Sequence, residues 1–232
     1  MARARQPRTA VLIGLVLVVV VAFVASRDRG GPEVGGGSAV VTTTRPLATT
    51  EPVPGSAAAQ LAQLPVRTAD PSAPYRRDEF GDDWDYDPAS GCNTRERVLI
   101  DESVVEPTVD DRCRTTLGRW RSLYDGAETS DPADLQIDHL VPLADAWRSG
   151  ADTWTPDRRR AFANDRTSPD TLIAVTGHTN QSKGDSTPDA WLPPDESSWC
   201  TYAEMWVDVK AAWDLSVTKP EHDRLADLLA TC

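Results

Sequence analysis

Residues 135–143 read LQIDHLVPL, a run that is apolar almost throughout but holds Asp138 and His139 side by side in its middle. The turn-rich DGAETSDPAD precedes it and Pro142 lies within it, so Leu135 to Leu140 is expected as a short strand that ends at the proline. Working outward, LADAWRSG predicts a short helix stopped by Gly150. Thr155-Pro156-Asp157 has the cap, proline and acid order of a helix start, and RRRAFAND continues it. TLIAVTG gives a second strand, Thr171 to Thr176, and HTNQSKGD a short helix opening near Thr179. Asn180 and Lys183, three apart, share one face of that helix. The pattern is strand, helical insertion, strand, helix.

Downstream, Trp199, Tyr202, Trp206, Val209 and Trp213 recur at helical spacing. Pro220 and Glu221 open a second helix with Leu225, Leu228 and Leu229 on its apolar face. Two helices joined by a brief turn run antiparallel, which brings Cys200 at the start of the first near Cys232 at the end of the second. Cys92 and Cys113 then pair by elimination. Four cysteines in an exported chain read as two disulfides. The helical spacing assigns these tryptophans to core packing in preference to base stacking.

Export is read from the N-terminus. Arg3, Arg5 and Arg8 precede an unbroken apolar run from Ala10 to Ala25. That run is intermediate between a signal-peptide core and a spanning helix of roughly 17 to 25 residues. Val24-Ala25-Ser26 suits cleavage, so residues 1–29 are expected as a signal peptide or an N-terminal membrane anchor, the latter making the protein transmembrane. Both outcomes stay open: secreted, or attached to the outer face of the cytoplasmic membrane through residues 10–25. Residues 30–74, rich in Gly, Pro, Thr and Ala, are expected as a disordered linker with a reach of about 35 to 40 Å. Residues 75–232 form a single domain by size, expected as a monomer.

Charge argues against a basic nucleic-acid face. Setting aside residues 1–29, with five arginines and Asp28, leaves 19 basic and 35 acidic residues, net −16. Arg112, Arg114, Arg119 and Arg121, and the run Arg158 to Arg160, are local exceptions. A metal ion is another source of positive charge.

An Asp-His pair alone is weak evidence, since such dipeptides arise by chance. Its neighbours are more specific. IDHLVPLADAW, then FAND, then LIAVTGHTNQSKGD, then WLPP resembles the HNH endonucleases, in the variant with aspartate and asparagine for the outer histidines, and most closely the exported, cysteine-containing HNH proteins. The resemblance spans about Gly91 to Cys232. It implies an α+β fold, a ββα-metal hairpin and helix embedded in a mostly helical, disulfide-stapled domain. It also implies Asp138 and Asn180 as metal ligands, His139 as general base and Asn164 as the residue bracing the hairpin loop. Lys183, on the ligand face, is expected at a neighbouring phosphate, with a solvated lysine as the plain alternative. His178 points away from Asn180 and is expected at the surface.

These residue types suit the chemistry. A carboxylate and an amide oxygen are hard ligands for one divalent cation, Mg²⁺ ahead of Mn²⁺ or Zn²⁺. Asp138 is expected as an exposed cleft ligand, and His139 as a base titrating near 6.5. The expected activity is phosphodiester hydrolysis of nucleic acid, DNA ahead of RNA, and largely nonspecific because no sequence-reading module is evident. Two departures stand against the family pattern: the long insertion AWRSGADTWTPDRRR between the outer ligands, and the acidic composition. The rival from another class is an exported binding or structural domain that kept this scaffold and lost activity.

Overall fold

Side-chain caps fix the helices where the sequence changes character. In a computed structural model, which describes residues 53, 55–68, 74–168 and 170–232, the order is α1 (Ala57–Leu61), β1 (Tyr86–Asp87), β2 (Cys92–Asn93), α2 (Thr94–Asp101), β3 (Thr108–Val109), β4 (Thr115–Leu117), β5 (Trp120–Arg121), β6 (Glu128–Thr129), β7 (Leu135–His139), α3 (Leu143–Arg148), α4 (Pro156–Ala163), β8 (Leu172–Thr176), α5 (Gly177–Lys183), α6 (Trp199–Ala212) and α7 (Lys219–Leu229). Asn93 Oδ1 accepts the Glu96 amide to open α2, and Thr155 Oγ1 accepts the Arg158 amide to open α4. Thr218 and Glu221 form a reciprocal capping box at α7, with Pro220 in the first turn. Gly184, at φ +55°, ends α5 in a backbone conformation few other residues adopt.

The fold is α+β, with four two-stranded antiparallel sheets beside the helices among the described residues. The sheet that matters is β7–β8, paired from Leu135 opposite Thr176 to His139 opposite Leu172. It matches the expected strands to within a residue: Leu140 still donates its amide to Thr171, at 3.1 Å, before Pro142 ends the pairing. Its faces differ in what they bury. Ile173 and Val175 of β8 pack into the main core with Leu140, Phe162, Tyr202 and Trp206. Leu135 and Ala174 pack with Leu99 and Trp120 in a smaller cluster. The α3–α4 insertion joins the two strands, and α5 turns back onto both.

Two cross-links and a buried ion network brace the domain. Cys200 pairs with Cys232, with Cα atoms 5.6 Å apart, closing the α6–α7 hairpin, and Cys92 pairs with Cys113 at 5.1 Å. Lys210, fully buried on α6, donates to Asp145 of α3 at 2.5 Å, to Ser149 Oγ at 2.8 Å and to the Ser216 carbonyl at 3.0 Å, and it lies 3.1 Å from Glu221 of α7. An ammonium so placed ties three helices together, because its carboxylate partners come from α3 and α7 and removing Lys210 would leave them buried without a counter-charge.

The segment read as a linker contributes to the domain. Its helix α1 packs on α6 and α7 and buries Leu61, while Arg67 and Val217 bond through their backbones. The alanine content that reads as low complexity is also helix-favouring, and Ser56 caps the turn. The expected export segment, including the run at 10–25, lies outside the described residues. Among the described residues no helix is long and apolar enough to cross a membrane, which corrects the transmembrane expectation. The longest of them, α6, has 14 residues, about 21 Å, and carries Glu204, Asp208 and Lys210.

The outer edge of β8 carries a titratable contact. Glu102, at the end of α2, accepts the Ala174 amide at 2.8 Å, and burial pushes its carboxyl up to about 7. Its folded pKa therefore exceeds its unfolded value, so the stability it contributes is complete below about pH 4.5 and is lost as pH rises through 7. Glu102→Gln keeps an acceptor without the charge. We expect it to match the parent in urea melts at pH 4.5 and to be more stable by about 1–3 kcal/mol at pH 8; equal stability at both pH values would refute the buried-carboxyl assignment.

Candidate active site

The end of β7 opens into a cavity of about 330 Å³ lined by Asp138 and His139, by the start of α3, by Gly184 and Asp185 after α5, and by Tyr75 and Arg77 from the N-terminal side. Adjacent strand residues point to opposite faces. At a strand end, where the sheet stops, both can still border one cavity.

Asp138 faces α5. Its Oδ2 accepts Lys183 Nζ at 2.7 Å and the Tyr124 hydroxyl at 2.6 Å. It is 8% exposed, so the expectation of an exposed cleft ligand is corrected: α5 and Tyr124 cover it. Burial raises the carboxyl above the usual carboxylate range, and the Lys183 ammonium and the hydrogen bonds oppose that shift. Burial and the Asp138 charge push the Tyr124 hydroxyl well above its ordinary value, so it stays a protonated donor.

Lys183 is 1% exposed and divides its ammonium between Asp138 and the His139 carbonyl, the latter at 3.1 Å. This corrects the expectation that it meets a phosphate, because its donors serve the interior of the site. Asn180, one turn earlier, donates Nδ2 to Gln136 Oε1 at 2.9 Å. Gln136 and Asp138 lie two apart on one face of β7, and Asn180 and Lys183 three apart on one face of α5. The expected helix face therefore exists, and it reads the strand side chain by side chain. Among the described residues lining the cavity, Asn180 does not appear.

His139 is held from its other side. Nε2 lies 2.9 Å from the Ala163 carbonyl, which can only accept, so the proton sits on Nε2 and the lone pair on Nδ1. The ring stacks on Trp84, with centroids 5.6 Å apart, and on Phe162 at 6.4 Å. Burial, helped by the positive charges of Arg77 and Lys183, lowers its pKa to about 4 in place of the expected 6.5. The imidazole is neutral at pH 7.

Asn164 closes α4, and its Oδ1 accepts the Asp85 amide at 2.8 Å while Nδ2 donates to the Arg160 carbonyl at 3.1 Å. It ties the insertion between β7 and β8 to the N-terminal segment. His178 is exposed, as its helix position predicts. Tyr124, Trp84, Arg77 and Gln136 escaped the sequence reading: the first three lie in short polar or turn-rich stretches with no periodicity, and Gln136, though inside the expected strand, is singled out only by the Asn180 that the fold brings to it.

Residues 96–228 match the family described as GmrSD restriction endonucleases, C-terminal domain. A relative from Arthroderma benhamiae, described as an uncharacterized secreted protein, is 45% identical over 195 residues, 83% of this chain and 94% of its own length. No solved structure matches.

The ion pair under the cavity has a testable energetic consequence. Lys183→Met strands the buried Asp138 charge, and we expect a loss of about 3–5 kcal/mol in urea unfolding. Adding Asp138→Asn should recover most of it. A double variant no more stable than the single one would mean that the two charges are not coupled.

Proposed function

This chain belongs to the family of GmrSD restriction endonuclease C-terminal domains, and we propose that it is an exported endonuclease that hydrolyses phosphodiester bonds of nucleic acid, DNA ahead of RNA, with little sequence specificity. The secreted relative supports export. We read β7, β8 and α5 as the hairpin and helix of a ββα-metal core.

The observation that carries the reading is the state of His139. A neutral imidazole with its tautomer fixed by Ala163 and its ring clamped by Trp84 and Phe162 is a general base with one free lone pair, bordering a cavity wide enough for a phosphate and a water. In this reading Nδ1 takes the proton of a water as that water attacks phosphorus. The Nε2–H to Ala163 bond then stabilises the imidazolium that forms, as a carbonyl oxygen does for a positive ring. Asn164 acts on the same carbonyl indirectly, by fixing the end of α4 from which Ala163 projects.

The donor set fits a divalent cation in chemical kind. Tyr124 and Lys183 both engage Oδ2 of Asp138, and Asn180 spends its amide nitrogen on Gln136, so a carboxylate oxygen and an amide oxygen remain as hard donors. Among the described residues no group of three or more His, Cys, Asp or Glu could hold an ion. Asp138 and Asn180 would therefore hold Mg²⁺ or Mn²⁺ with few protein ligands, the rest coming from water and phosphate. Such an ion supplies charge stabilisation to the phosphorane and the leaving oxygen.

One observation favours a second reading, a binding domain without catalysis: Lys183 already neutralises the carboxylate that a cation would use. Supercoiled plasmid and a folded RNA, incubated with the purified chain and Mg²⁺ or Mn²⁺, separate the two. We expect nicking and linearisation of the plasmid that EDTA abolishes, and a fall of about 10²- to 10⁴-fold in His139→Ala. Undiminished cutting by His139→Ala would remove the base, and a parent that cuts neither substrate would leave the binding domain.

A further inference from the structure

The acidic domain must present some positive charge to a polyanion, and the cavity holds one cation with nothing acidic attached to it. Lys183 is buried and spent on Asp138. Arg148, near the cavity mouth, pairs with Asp185 at 3.4 Å and donates to its carbonyl. Arg77 lines the cavity together with His139, is exposed, and forms no ion pair with a carboxylate among the described residues.

Arg77 is also held in place. It rides on residues 74–85, which precede the family match at 96. Phe80 anchors this strap in the core, at 1% exposure. Glu79 is gripped by Arg159, which bonds both its carboxylate and its carbonyl. At the far end Asp85 bonds Asn164 through its amide and Arg160 through its carboxylate, and Trp84 stacks on His139. One nitrogen of Arg77 donates to the Gly81 carbonyl at 3.0 Å, which fixes the side chain against its own strap and leaves the other donors of the guanidinium fork. A planar fork beside the base suits the oxygens of a phosphodiester.

We propose that Arg77 is the phosphate-binding residue of this site, contacting the phosphodiester that His139 addresses, and that residues 74–85 are a substrate-positioning strap added to the family domain. The proposal rests on the nucleic-acid reading above and extends it: the strap gives the acidic domain the local positive charge that draws a polyanion into the cavity. A guanidinium that neutralises one phosphate releases about one condensed counterion, so its signature is a salt dependence.

The test is binding, so that it does not depend on cleavage. Fluorescence anisotropy with a labelled 20-base-pair DNA duplex in EDTA, from 50 to 200 mM KCl, compares the full chain with Arg77→Ala and Arg77→Lys. We expect Arg77→Ala to weaken binding and to make the slope of log affinity against log salt shallower by about 0.9. Arg77→Lys should restore the slope, because the charge is kept, with part of the affinity still lost. Since Arg77 is exposed, unchanged thermal melting identifies a folded variant. An Arg77→Ala protein that binds with the parent's slope overturns the proposal even if the parent is a nuclease, and so does a parent with no measurable DNA binding. A parent that binds, loses its slope with Arg77 and yet cuts nothing supports the phosphate contact and removes the nuclease reading.

Discussion

A buried ion pair, Lys183 with Asp138, fixes the relation between the last turn of α5 and the end of β7. A carboxylate in that position cannot stand alone: an unpaired buried charge costs several kcal/mol, and Tyr124 and Lys183 together satisfy the oxygen that faces inward. The pair is useful because of where its remaining bond goes. Lys183 also holds the carbonyl of His139, so the same ammonium fixes the aspartate side chain and the histidine backbone. Geometry at two adjacent candidate positions is thereby reduced to the placement of one helix.

The histidine ring depends on a different set of contacts. Its Nε2 partner is Ala163, in the insertion between the strands, and its stacking partner Trp84 comes from the N-terminal strap. Contacts from β7, α4 and residues 74–85 thus converge on one imidazole. Asn164 joins the last two of these to each other, which gives the insertion a purpose: it carries Ala163 and Phe162 to one side of the ring and receives the strap on the other. The Lys210 network does the same at longer range by pinning α3, which starts at the cavity wall, to α6 and α7.

Much of this was legible in the sequence where a local rule operates. The strands Leu135–His139 and Leu172–Thr176 follow from short apolar runs bracketed by turn-rich stretches, α4 and α7 from their caps, and the Cys200–Cys232 pair from the geometry of two antiparallel helices. The shared face of Asn180 and Lys183 followed from helical periodicity. Periodicity, however, cannot say what that face meets. Lys183 reads as a surface cation until Asp138 is known to lie beneath it, and the pKa of His139 reads as ordinary until Trp84 and Phe162 cover the ring. Trp84 and Arg77 sit in a Gly-, Asp- and Arg-rich stretch with no pattern, so their role appears only with tertiary structure. The Ala-rich segment ahead of them reads as tether because low complexity and helix propensity share the same residues.

The arginine clusters show why composition misleads about the surface. Arg158 meets Asp214, Arg159 meets Glu79, Arg160 meets Asp85, and Arg114 meets Asp110. These pairs consume much of the local positive charge that the sequence advertises, while Arg112 and Arg119 stay exposed with no ion pair among the described residues. Under the nucleic-acid reading proposed above, a polyanion would meet a largely acidic surface with few unpaired cations, Arg77 at the cavity among them. Few phosphates can then be neutralised at once, which limits both the electrostatic affinity and its salt dependence. Contact over one or two nucleotides also leaves little base-edge area to read, since sequence discrimination comes from groove contacts and not from the backbone. Under that reading low specificity would follow from the charge distribution itself: a domain that contacts its substrate at few phosphates has little surface with which to distinguish one sequence from another.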